Sequence, residues 1–110
     1  MKADSSSVKA ILEKANDLPL LPRTLEWAKV NSGTTNLDGL ASVAAMLADA
    51  FSVLPGDTRL IDAETVEAVR ADGHVDQIRR GQHLVTSVRP DAPVRLLLTG
   101  HMDTVFAADH

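Results

Sequence analysis

The spacing of apolar residues changes once in this chain, at Pro55-Gly56, and that change limits what it can fold into. Before it, apolar positions recur at helical intervals; after it they alternate or run on continuously, as strands require. Leu37 to Phe51 is the clearest helical stretch, with Leu40, Ala44, Leu47 and Phe51 on one face. Asn36 precedes it as a good N-cap, and Asp38 sits near the positive end of its dipole. Upstream, Ser5, Ser6 and Ser7 offer capping oxygens to a helix from about Val8 to Asn16, with Val8, Ile11, Leu12 and Ala15 on its stripe. Pro19 and Pro22 break that helix, because neither can donate inside one. A short helix is expected over 23–30, with Leu25 and Ala28 inward and Trp27 half-buried. The sequence NSGTTN, residues 31–36, is a turn by composition.

Past Gly56, 58–62 reads as a short strand, and 63–82 is polar and ambiguous, with a turn at Asp72-Gly73. Residues 82–89 alternate, with Leu84, Thr86 and Val88 on one face. Pro90-Asp91 is a turn, and 94–99 is a continuous apolar run of the kind that forms a strand buried on both faces. The predicted fold class is α/β: N-terminal helices, then the first strands of a mixed sheet in which 82–89 pairs with its neighbours and 94–99 is central.

At 110 residues the chain is one domain's worth. A net charge of −4 and three aromatic residues, Trp27, Phe51 and Phe106, argue against a nucleic-acid partner. No stretch approaches the apolar length of a membrane span, and charges at Lys9, Glu13, Lys14 and Asp17 interrupt any secretory apolar region. With no cysteine, disulfides are ruled out and a reducing, cytoplasmic location is the expectation. The glycines form neither a dinucleotide fingerprint nor a P-loop.

The chemistry gathers in LLLTGHMDTVF, residues 96–106. At the C-terminal end of a central strand, where open α/β sheets bind ligands, His101 and Asp103 stand two residues apart and can meet on one side. Neutral imidazole is a common zinc ligand, at roughly 2.0–2.1 Å, and a carboxylate on the other ring nitrogen fixes its tautomer. Gly100 lets the backbone turn there. Taken alone, such a pair reads first as a polar pair closing a strand. Other residues have plainer readings still. His74 is a solvated turn histidine, His83 a residue on a strand face, His110 a mobile terminus and Arg79-Arg80 a solvated loop. Ser32 and Thr34 show no histidine–acid partner in sequence, which argues against a serine-type nucleophile.

Together, LLLTGHMDTV and the earlier segment EWAKVNSGTTNLDGLASVAAMLADAF resemble the zinc metallopeptidase family of acetylornithine deacetylase, succinyl-diaminopimelate desuccinylase, aminoacylase and glutamate carboxypeptidase. The likeness covers most of residues 20–106, in the family's order. It implies a hydrolase that cleaves amide bonds next to a free carboxylate, in small peptides or N-acyl amino acids. It implies zinc as cofactor, two ions about 3.5–4 Å apart in the full-length protein. His101 then matches a metal ligand, and Asp103 the catalytic-site carboxylate that orients it. The family's remaining ligands, its general-base glutamate and its dimerisation domain belong downstream of this motif. Residues 1–110 are therefore expected to be an incomplete N-terminal part of a metallopeptidase catalytic domain, inactive alone, with a homodimer implied only for a full-length protein. A non-catalytic α/β binding module, or the remnant of a truncated reading frame, is the alternative.

Overall fold

The computed structural model describes residues 4–109. Helices come first: α1 (Ser5–Asn16), α2 (Leu20–Ala28) and α3 (Leu37–Phe51). Four short strands follow, β1 (Asp57–Ile61), β2 (Val66–Val69), β3 (Val75–Ile78) and β4 (His83–Ser87). The chain is thus mixed α/β, with helices before strands as the change of spacing predicted.

The sheet differs from expectation. Instead of one mixed sheet there are two antiparallel pairs, β1 with β4 and β2 with β3. Residues 94–99 form no strand and pair with none of the four. Leu96 and Leu98 are 87% and 91% exposed, so the expected central, buried strand is not formed. An extended apolar backbone becomes a strand only when a neighbour supplies its hydrogen bonds and a packed layer covers each face. Neither lies beside this run.

The core sits under α3, which packs on β1 and β4. Leu40 and Ala44 are buried as read from the sequence, and Val43, one turn on from Leu40, is buried with them. The rest of the stripe opens outward, with Leu47 half-buried and Phe51 exposed. Burying a side chain of the Val or Leu class contributes about 1.5–3 kcal/mol, so Leu40 and Val43, with the smaller Ala44, make a small core among the described residues. The radius of gyration, 18.4 Å against about 13 Å for a compact chain of this size, agrees.

Neither α1 nor α2 has a buried residue. Asp4 takes the N-cap position of α1, and the three serines expected to cap it lie in its first turn. Pro19 caps α2 and Pro22 lies in its first turn, where a missing N–H costs nothing because that turn's donors have no helical partner. This is why α2 begins earlier than expected. Leu25 and Ala28 are exposed rather than inward, since no layer covers that helix face. Trp27 is half-buried, with the Arg23 guanidinium 5.9 Å from its ring centre.

Two turns form as their residues dictate. Gly73, at φ +84°, follows a turn closed by its own N–H on the Arg70 carbonyl at 2.9 Å, and so joins β2 to β3. Asn36 caps α3, its side-chain oxygen accepting from the Gly39 N–H at 3.1 Å. Asn36→Ala is expected to cost about 0.5–2 kcal/mol in urea denaturation, and unchanged stability would rule out the cap. Among the described residues, no helix is long and apolar enough to cross a membrane.

Candidate functional site

Residues 31–36 are held as a built loop. Asn31 is its hub: its side-chain oxygen accepts from the Gly33 N–H at 3.0 Å and from the Asn36 amide at 3.1 Å. Asn36 also donates to the Asn31 carbonyl at 3.0 Å, and its own N–H reaches the Gly33 carbonyl at 2.8 Å. Short polar side chains that bond nearby backbone are what Asn and Thr supply in such turns.

Against this loop lies the segment carrying His101 and Asp103. Gly33 and Thr104 form a parallel β-bridge. The Thr34 N–H donates to the Thr104 carbonyl at 3.1 Å, and the Thr104 N–H to the carbonyl of the buried Ser32 at 2.8 Å. Asn31 adds a bond from its side-chain amide to the Ala107 carbonyl at 2.7 Å. The pair expected at the end of a central strand is therefore positioned by a loop instead. Gly100, read as a turn-former, has open space around it and no left-handed φ.

His101 and Asp103 do meet. Nδ1 of His101 lies 2.9 Å from the Asp103 carbonyl oxygen and 3.2 Å from its Oδ1. Both are acceptors, so the ring meets them through a protonated Nδ1, and in the neutral imidazole that tautomer leaves the lone pair on Nε2. On the far side, Thr34 Oγ1 donates to Asp103 Oδ2 at 2.7 Å. The hydroxyl thus faces the carboxylate and not the imidazole, the reverse of what a nucleophile needs. This agrees with the sequence reading against a nucleophile at Thr34, but the bond to an acid is new: 69 residues separate Thr34 from Asp103, so no local signal could show it.

The Thr34 bond, seconded by His101, holds the Asp103 carboxyl below the ordinary aspartate value of 3.8. A depressed folded-state value adds stability above the unfolded value, lost as pH falls through the folded one. Docking of 101–107 on the loop is therefore expected to hold at neutral pH and to loosen only in acid, below 3.8. Amide exchange at Thr34 and Thr104 reads this, and Asp103→Asn should abolish the acid dependence.

His101 and Asp103 open onto a cleft of about 780 Å³, walled on its apolar side by Leu40, Leu47, Phe51 and Leu84. His83 and Arg80 reach its edge, but both are exposed, as is His74, whose N–H bonds Asp72 in the β2–β3 turn. Their exposure agrees with the sequence reading, while His110 lies outside the described residues. Among the described residues no three His, Asp or Glu side chains converge to hold a metal ion. Within this pair, His101 Nε2 is the atom suited to ligate, because Asp103 is spent on Nδ1 and Thr34. Set beside known protein families, curated proteins and solved structures, the chain matches none of them.

Proposed function

We propose that this chain carries the metal-binding motif of a zinc-dependent amide hydrolase, acting on small peptides or N-acyl amino acids with a free carboxylate beside the scissile bond. What supports the reading is a single arrangement: Asp103 occupies Nδ1 of His101 and leaves Nε2 open at a partly apolar cleft. That is the division of labour a zinc-ligating histidine and its carboxylate need. Zinc, when bound, supplies an activated water and polarises the amide carbonyl.

His101 would hold one ion through Nε2. Asp103 keeps the ring turned and its tautomer fixed. Leu47 and Phe51 offer an apolar wall to an acyl group or side chain. Catalytic zinc takes three protein ligands, so the rest of the set is proposed to come from a continuation of the domain, which would also cover 94–99. A cytoplasmic location belongs to the same proposal and rests on the cysteine-free sequence.

Zinc titration calorimetry and an N-acyl amino acid assay test this, on the 110-residue chain and on a version extended at its C-terminus. The short chain is expected to bind zinc weakly, through His101, without turnover, and the extended one to bind two ions and hydrolyse. Tight two-zinc binding with turnover by the short chain would overturn the division. An extended protein that neither binds zinc nor hydrolyses would overturn the function.

A further inference from the structure

We propose that Thr34 is the positioning residue of this site, its hydroxyl fixing the Asp103 carboxylate so that the other oxygen holds His101 Nδ1 and Nε2 faces outward. The inference rests on the reading of His101 as a zinc ligand, and extends it to a residue in a different part of the chain.

The His101 side chain is 84% exposed, so packing does not hold the ring. Its orientation depends on what Nδ1 bonds, and both acceptors there belong to Asp103. An aspartate carboxylate turns freely about its last bond unless an oxygen is pinned. Thr34 Oγ1, at 2.7 Å from Oδ2, pins it and leaves Oδ1 for the imidazole. The other acceptor, the Asp103 carbonyl, shares its peptide plane with the Thr104 N–H, which bonds the Ser32 carbonyl at 2.8 Å, so the loop holds it independently of the Thr34 hydroxyl. Thr34 itself lies in the loop that is hydrogen-bonded around Asn31 and leads into α3. Orientation of the ligand thus passes from the α3 cap to Thr34, to Asp103, to His101.

Thr34→Val keeps shape and volume and removes only the hydroxyl; Thr34→Ser keeps the hydroxyl and removes the methyl. The tautomer of His101, read from its ring nitrogen shifts by NMR at neutral pH, reports positioning without any activity assay. In the parent chain the Nδ1–H form is expected to dominate. Thr34→Val should shift His101 toward the Nε2–H form and weaken zinc binding by less than the roughly 10–100-fold expected for removing the Asp103 carboxylate itself, while Thr34→Ser restores both. The Gly39 amide signal, which depends on the Asn36 cap, shows whether the loop is intact. If a folded Thr34→Val chain keeps the parent tautomer and zinc affinity, Thr34 has no positioning role. If Thr34→Val disturbs the loop as well, Thr34→Ser decides: parent behaviour supports the role, and behaviour like Val overturns it. Should the tautomer respond as expected while no form of the chain binds zinc, the positioning stands and the zinc reading falls.

Discussion

His101→Ala is expected to remove nearly all zinc affinity from this chain and nearly all amide hydrolysis from the extended enzyme proposed here. The substitution deletes the nitrogen left open for the metal. The other histidines among the described residues are placed differently: His74 lies in the β2–β3 turn against Asp72 and Asp76, and His83 sits exposed on β4 at the edge of the cleft, with no described carboxylate bonded to its ring. Asp103→Ala should be milder, about 10–100-fold in affinity or rate, because the imidazole stays and only its orientation is lost. The order, His101 before Asp103, separates a ligand from its support. Zinc binding by competition with a chromophoric chelator, and kcat/KM on an N-acyl amino acid, measure it. An extended enzyme with undiminished activity after His101→Ala would end the zinc reading.

Gly33→Ala should undock the whole segment that carries the site. A Cβ at position 33 would lie 2.2 Å from the Phe106 carbonyl oxygen, a backbone atom that cannot swing aside. Relief requires the 101–107 segment or the loop to move, at about 1–3 kcal/mol for overpacking of this kind. The stiffer unfolded chain returns about 0.4–1 kcal/mol, which does not cover the loss. The bridge at Thr104, the Asn31–Ala107 bond and the Thr34–Asp103 bond all cross that gap and should weaken together. Gly100→Ala is the control, since nothing lies within 4 Å of the added atom and the backbone there is ordinary. It should leave stability unchanged or slightly raised. Denaturation curves, with NMR contacts between Thr34 and Asp103, distinguish the two variants. Equal behaviour of both would mean that the loop and segment are not docked at Gly33.

What the sequence by itself determined is what short-range chemistry decides. Asn36 as the cap of α3, the turn at Asp72-Gly73, the half-buried Trp27 and the alternation of β4 each depend on neighbours within one turn or one strand. The meeting of His101 with Asp103 belongs here too, because two residues of separation bring them together. Tertiary structure alone decided the rest. Hydrophobicity announces that 94–99 must be covered but does not supply the cover, and where no neighbouring strand bonds it the run stays exposed. The stripes of α1 and α2 meet the same limit: an apolar face buries only against another face, and periodicity does not say whether one is there. Thr34 marks the boundary most clearly. Its hydroxyl is an ordinary turn residue's in the sequence, and it becomes part of the site only because a parallel bridge at Gly33 and Thr104 brings chain 69 residues away within 2.7 Å.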